Sequence, residues 1–112
     1  MTDLLVRTGG TEPPAFLLLH GLGATGDVWA GLTRLLGDSA LFGDPAWIAP
    51  DLPGHGGSPH LPAYSFASVA AAVAGLVDPR GTVVVGHSFG GAVGLHLAAH
   101  AAVRAVVGLG IK

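Results

Sequence analysis

The chain has 112 residues, of which half are hydrophobic and 11% are charged, with a formal net charge of −2. This balance excludes a disordered chain, because disordered chains combine low hydrophobicity with high charge. The five basic residues are scattered, which argues against a nucleic-acid partner, and the absence of cysteine excludes disulfides and thiolate metal sites. We expect one domain over residues 1–112, since domains usually hold about 100–150 residues.

Strands and helices alternate in the sequence pattern. Four apolar or β-branched runs predict buried strands, at residues 16–20, 47–49, 82–85 and 103–108. Three stretches predict helices, at residues 27–36, at residues 65–77 and over a segment that ends near residue 102. Asp27 and Ser65 are the expected N-caps of the first two helices, and a weak strand is expected at residues 4–7. The alternation predicts an α/β fold, a parallel sheet with helices on both faces.

One stretch, residues 81–103, carries no charge and is long enough to cross a bilayer. It contains three histidines and five glycines, which favour a buried strand, a turn and a helix over a membrane span. The first ten residues lack a basic segment followed by an apolar run, so no secretory signal is expected. We therefore expect a cytoplasmic protein without a membrane or nucleic-acid partner.

The segment Gly86-His87-Ser88-Phe89-Gly90 matches the pattern G-x-S-x-G between a predicted strand and a predicted helix. This context is typical of a nucleophile elbow, in which a sharp turn exposes a serine hydroxyl. Gly86 and Gly90 let the strand and the helix approach closely, and the helix N-terminus favours developing negative charge. Ser88 is the predicted nucleophile. The alternative is an ordinary turn in which Ser88 only caps the helix.

The loop His20-Gly21-Leu22-Gly23 follows the first buried strand. Acyl transfer through a tetrahedral intermediate needs positioned donors for the oxyanion. The backbone N–H groups of Leu22 and Phe89 are the predicted donors, because one lies at the end of the neighbouring strand and the other follows the nucleophile.

A second interpretation of the same loop is open. Residues 21–26 match G-x-G-x-x-G between a strand and a helix, which is the dinucleotide-binding fingerprint. The acidic partner is expected about 20 residues further on. Asp51 ends the next strand but lies 28 residues after Gly23. A dinucleotide-binding half-domain is therefore a weaker alternative.

Three motifs occur together in this order: FLLLHGLG, DLPGHGGS at residues 51–58, and GHSFGG. With them the chain resembles the N-terminal half of an α/β-hydrolase of the serine type, from about residue 15 to residue 112. The resemblance implies that Ser88 attacks a small ester-like substrate, that Leu22 and Phe89 form the oxyanion hole, and that no cofactor is needed. It implies structural roles near the site for His20, Gly21, Asp51, His55, Gly86, His87 and Gly90.

The base and the acid of a catalytic triad are not found after Ser88, where the sequence has no Asp or Glu. His96 and His100 would lie roughly 12 and 18 Å along the helix that starts at the nucleophile, too far to accept its proton. Their i, i+4 spacing resembles a zinc motif that lacks its other ligands, so no metal site is expected. His55 and Asp51 lie in a neighbouring loop, but their chain order is wrong for this fold.

The last predicted strand, residues 103–108, would form an apolar parallel edge of the sheet. Two functional interpretations follow from the partial fold. The chain belongs to an esterase-like enzyme whose acid and histidine lie elsewhere, or it is a non-catalytic fragment or pseudo-enzyme. In the second case, the edge strand pairs with a second copy or with a partner chain.

Overall fold

The computed structural model describes residues 3–38 and 42–110. Its strands are β1 (Val6–Gly9), β2 (Glu12–Leu19), β3 (Pro45–Pro50), β4 (Thr82–His87) and β5 (Val103–Leu109). They form one sheet in the order β1-β3-β2-β4-β5. The pairs β2–β3, β2–β4 and β4–β5 are parallel, and β1 pairs with β3 in the antiparallel direction.

The described residues include three α-helices between the strands. They are α1 (Ala30–Leu36), α2 (Phe66–Val73) and α3 (Phe89–Leu97). A 3-10 turn over Gly26–Trp29 leads into α1, and another over Ala74–Leu76 follows α2. Each parallel connection thus contains a helix, as a crossover between parallel strands requires.

The core has two layers because the apolar residues of β2 point alternately to opposite faces of the sheet. Leu17 and Leu19 are fully buried on the face covered by α2 and α3, where Val93 packs with them. Leu18 is fully buried on the other face, against Trp29. The predicted α/β fold with helices on both faces of a mostly parallel sheet is confirmed.

The first strand departs from the parallel pattern. It lies at residues 6–9 rather than 4–7, and it runs antiparallel to β3, with Val6 opposite Pro50. Only Gly10 and Thr11 separate β1 from β2, and a parallel connection needs a dozen residues or more. The chain instead reverses at Gly10, whose φ of +66° is accessible mainly to glycine.

The observed N-caps agree with one of the two predictions. Ser65 is the N-cap of α2, as predicted, and it forms a reciprocal capping box with Ser68. Asp27 was the wrong cap for the first helical segment. The side chain of Thr25 accepts from the Asp27 N–H instead, and the Asp27 carboxylate pairs with Arg7 at 2.9 Å.

The third helix, α3, ends at Leu97 rather than near residue 102, so it is shorter than predicted. The chain must turn there to enter β5, and the carbonyl of Ala102 already accepts from the N–H of Thr82 at 2.8 Å. The uncharged stretch 81–103 is thus divided into strand, turn and helix. Within the described part of the chain, no helix is long and apolar enough to cross a membrane.

Strand β5 forms one edge of the sheet in the described chain. It pairs with β4 from Thr82↔Val103 to His87↔Leu109. The side chains of Val107 and Leu109 are 44% and 46% exposed, although the pattern of β5 is that of a buried strand. The sheet face beside α1 is therefore incompletely covered at this edge.

Candidate active site

Ser88 connects the end of β4 to the start of α3 in a backbone conformation that is rare for a side-chain-bearing residue. Its φ is +54° and its ψ is −115°, and among residues 3–38 and 42–110 it is the only non-glycine with positive φ. Such a conformation costs about 1–3 kcal/mol and persists only where the surrounding structure enforces it. Strain of this kind at a serine between strand and helix is the geometry of a nucleophile elbow.

Two glycines make this turn possible by removing side chains where backbones meet. A Cβ added at Gly86 would overlap the carbonyl of Gly90. A Cβ added at Gly90 would overlap the carbonyl of Leu19, at the end of β2. The first turn of α3 therefore rests directly on the ends of β2 and β4.

The Ser88 side chain lies at the wall of an open cleft of about 430 Å³. The residue is exposed, and its hydroxyl has no hydrogen-bond partner among the described residues. Its backbone N–H donates to the carbonyl of Leu109 at 2.7 Å, which ties the turn to β5. Mostly apolar side chains line the rest of the cleft: Leu22, Ala24, Val28, Trp29 and Leu109.

The loop after β2 forms a tight turn beside Ser88. The N–H of Ala24 donates to the carbonyl of Gly21 at 3.2 Å, and Gly23 has a φ of +79°. A Cβ on Gly21 would lie 3.5 Å from the Cβ of Ser88. Among the described residues, no acceptor is found for the Leu22 N–H. The first N–H groups of a helix have no partner within it, so the Phe89 N–H has none within α3.

His20 supports this turn from inside the protein. Its ring is fully buried, and Nε2 accepts from the Leu52 N–H at 2.9 Å. The ring proton is therefore on Nδ1, which donates to the carbonyl of Gly21 at 2.7 Å. Burial lowers the pKa of His20, so the ring stays neutral at physiological pH.

His55 contacts the same turn from the loop after β3. Its Nε2 accepts from the N–H of Gly23 at 3.1 Å, and its ring meets the His20 ring edge-on with centroids 4.9 Å apart. The two histidines were predicted to be structural neighbours of the site. The structure brings them together under the turn that carries Leu22.

Asp51 anchors the loop over residues 51–58. Its carboxylate accepts from Arg7 Nη1 at 2.7 Å and from the N–H groups of Gly26 and Gly57 at 2.8 and 3.0 Å. Burial would raise the pKa of Asp51, but these donors hold it below its ordinary value. With its oxygens occupied in this way, the carboxylate is poorly placed to bind a ribose, which argues against the dinucleotide interpretation.

The remaining histidines divide between the cleft and the surface. His87 lines the cleft next to Ser88. The ring of His96 packs on Phe66, with centroids 5.9 Å apart, and Nδ1 of His100 accepts from the N–H of Ala102. The described residues contain no group of three potential metal ligands.

The sequence pattern did not reveal two features of the site. Arg7 reaches Asp51 across 44 positions of sequence, and nothing local to either residue signals that pair. Val28 and Trp29 line the cleft, although the sequence predicted only a helix over residues 27–36. They lie in the 3-10 turn that precedes α1.

The chain belongs to the alpha/beta hydrolase family, whose model matches residues 16–111. It is 42% identical over 101 residues to Lipase LipV of Mycobacterium tuberculosis, covering 87% of this chain and 36% of that protein. It is 40% identical over 95 residues to the pimeloyl-[acyl-carrier protein] methyl ester esterase of Methylococcus capsulatus, covering 85% of this chain and 35% of that protein.

A similar solved structure is that of the N-acyl homoserine lactonase AidH, complexed with N-butanoyl homoserine. It superimposes with a TM-score of 0.80 at 27% identity, over 100% of this chain and 45% of that one. The chain spans a little over a third of the length of these two curated relatives. The resemblance to the N-terminal part of this family is therefore confirmed.

Proposed function

We propose that this chain carries the nucleophile and the oxyanion hole of a carboxylic ester hydrolase. The strained backbone of Ser88 is the observation that carries the proposal. A turn that only caps a helix has no need of φ +54°, and the flanking glycines are required only because the turn is so tight. In the proposed site, Leu22 and Phe89 donate their N–H groups to the oxyanion.

The proposed reaction has two steps. Ser88 Oγ attacks the ester carbonyl, its proton passes through a base to the leaving alcohol, and an acyl-serine forms. Water then attacks the acyl-serine through the same base, releasing the carboxylic acid and restoring the hydroxyl. The N–H groups of Leu22 and Phe89 stabilise the negative oxygen in both tetrahedral intermediates.

The base is proposed to lie outside residues 1–112. No described histidine reaches the Ser88 hydroxyl, and the sequence after Ser88 holds no Asp or Glu to orient one. The short length relative to the matched enzymes is consistent with this division. The chain alone is then expected to be nearly inactive, although its nucleophile is in place.

The cleft favours a substrate with a small apolar group next to the carbonyl, because its wall is formed by Val28, Trp29 and Leu109. A methyl ester esterase and a lactonase are among the similar proteins. We propose carboxylic esters or lactones as the substrate class.

The test supplies the missing base from solution. Imidazole is added to the purified chain with p-nitrophenyl acetate, and the rate with Ser88→Ala is subtracted to remove catalysis by imidazole alone. We expect an imidazole-dependent increment that requires Ser88. Ser65→Asp is the matched control, since aspartate keeps the N-cap of α2 while removing an exposed hydroxyl. Equal rates for wild type and Ser88→Ala would contradict the proposal.

A second candidate function rests on the exposed apolar side chains of β5. Val107 and Leu109 lie on an unpaired strand edge of the described chain, which is a template for strand addition. In this alternative the chain is non-catalytic and associates through β5 with a second copy or a partner chain. Concentration-dependent sedimentation of the wild-type chain tests it.

A further inference from the structure

Two successive peptide groups of the turn at residues 21–24 are held by two different histidines. The Gly21–Leu22 peptide is held at its carbonyl, which accepts from His20 Nδ1 at 2.7 Å. The Leu22–Gly23 peptide is held at its N–H, which donates to His55 Nε2 at 3.1 Å. His20 belongs to the strand that leads into the turn, whereas His55 comes from a separate loop.

The first contact determines where the proposed oxyanion donor points. In a trans peptide, the carbonyl and the following N–H lie in one plane and point in opposite directions. With the Gly21 carbonyl turned inward to His20, the N–H of Leu22 points outward, away from that ring. This contact alone does not fix the next peptide.

The second contact determines the type of the turn. Gly23 occupies the third position with φ +79°, which is the value of a type II turn. Type I and type II turns differ by a flip of the central peptide, here Leu22–Gly23. A flip would turn the Gly23 N–H away from His55 and would rotate the peptide that follows Leu22, while the Gly21–Leu22 peptide stays in place.

We propose that His55 is a positioning residue that locks the Leu22–Gly23 peptide in the type II turn carrying the Leu22 N–H, through the hydrogen bond from the Gly23 N–H to its Nε2. The structural part of this proposal stands on the geometry of the turn. Its catalytic consequence rests on the function proposed above, because it assumes that the Leu22 N–H binds an oxyanion.

The tautomer follows from the partners of the ring. Nε2 accepts from Gly23, so the proton of the neutral ring is on Nδ1, which lies 3.1 Å from the carbonyl of Pro53. Protonation of Nε2 would place one N–H donor against another and break the contact with Gly23.

The surroundings of His55 include other titratable and charged groups. His20 touches its ring from the end of β2 and stays neutral because it is buried. Behind His20 lie the charges of Asp51 and Arg7. His60 and Tyr64 line the same groove as His55 and hydrogen-bond to each other at 3.1 Å.

The experiment is amide hydrogen exchange at Gly23, followed by NMR in the full 112-residue chain without substrate. In His55→Leu, which has no acceptor, we expect exchange about five-fold faster, the factor that corresponds to one ordinary hydrogen bond. In His55→Gln, whose Oε1 can accept from the same N–H, we expect exchange within about two-fold of wild type. His60→Leu is the matched control and is expected to leave Gly23 unchanged.

Unchanged Gly23 exchange in a folded His55→Leu would overturn the proposal.

The two proposals fail in different ways. If the Gly23 amide is not protected by His55 but Ser88 reacts normally, only the role of His55 is rejected. If the Gly23 amide is protected by His55 but Ser88 is unreactive, the proposed function is rejected and the structural role of His55 remains. If both hold, the rate of Ser88 acylation is expected to fall in His55→Leu and recover in His55→Gln.

Discussion

The β1–β3 side of the sheet is connected by side-chain hydrogen bonds, whereas the β5 side leaves apolar side chains exposed. On the β1–β3 side, Arg7, Asp51 and Ser58 connect strands and loops through hydrogen bonds of 2.6–2.9 Å. On the β5 side, Val107 and Leu109 remain exposed on an edge strand. The proposed nucleophile and oxyanion donors lie between these two sides, at the carboxyl ends of β2 and β4.

This difference shows which part of the proposed chemistry the chain provides. The proposed oxyanion loop is supported from the β1–β3 side, through His20 and His55. The β5 side contributes the hydrogen bond from the Ser88 N–H to the Leu109 carbonyl and the Leu109 side chain in the wall of the cleft. We expect the general base to approach from the β5 side, where the sheet has room for further strands.

The largest expected effect comes from Gly90→Ala, which tests the close contact at the centre of this comparison. The new Cβ would overlap the backbone carbonyl of Leu19, which cannot move without shifting β2. We expect a loss of about 3 kcal/mol in the free energy of unfolding, measured with urea. Gly31→Ala is the control, because its Cβ meets no atom within 4 Å in α1. There we expect a gain of about 0.5 kcal/mol.

A destabilisation of similar size by both alanine variants would contradict the account of the elbow. An unchanged free energy of unfolding in Gly90→Ala would show that α3 can move away from β2. The turn at Ser88 would then not need its strained backbone.

The next largest effect is expected on the β1–β3 side of the sheet, from Asp51→Asn. The substitution removes the charge that pairs with Arg7 and weakens the bonds from two backbone N–H groups. Because Asp51 is buried while Arg7 is partly exposed, we expect a loss of about 2 kcal/mol in unfolding free energy. Asp78→Asn, in the exposed pair with Arg80, is expected to cost much less.

The same carboxylate gives a pH dependence with a defined sign. The pKa of Asp51 is lowered in the folded protein, so its stabilisation is complete above the unfolded carboxyl pKa and is lost as the pH falls through the folded value. We expect part of the stability loss below about pH 4 to disappear in Asp51→Asn. An identical loss of unfolding free energy at acid pH in wild type and Asp51→Asn would contradict the assigned hydrogen bonds.

The smallest effect on folding, and the clearest on association, is expected on the β5 side from Val107→Lys. Charged side chains on an edge strand oppose strand pairing between molecules. If the chain associates through β5, wild type will sediment as larger species at high concentration and Val107→Lys will remain monomeric. Leu95→Lys, an exposed position of α3, is the control and is expected to behave as wild type. A wild type that stays monomeric throughout would remove the association hypothesis.

The parts of the fold that local sequence could predict are those with local causes. The continuous apolar runs of β2 and β4 indicated strands buried on both faces, and Ser65 marked the start of α2. The end of α3 was misplaced because an alanine-rich segment carries no stop signal, and the turn at residues 98–102 is dictated by entry into β5.

The candidate site divides in the same way. Ser88 and its glycines are neighbours in sequence, so the pattern G-x-S-x-G in its context predicted the turn. The contact between His55 and Gly23 joins residues 32 positions apart, and the pair of Arg7 with Asp51 joins residues 44 positions apart. Such contacts depend on the strand order β1-β3-β2, which no local pattern contains.

The central claim, that Ser88 is a nucleophile held beside a preformed oxyanion hole, is tested most directly by covalent labelling. The chain is treated with a fluorophosphonate in the presence of imidazole, and the modified peptide is identified by mass spectrometry. The account predicts a single adduct on Ser88, absent in Ser88→Ala and retained in Ser65→Asp. No adduct on Ser88, or adducts spread equally over the serines of the chain, would contradict it.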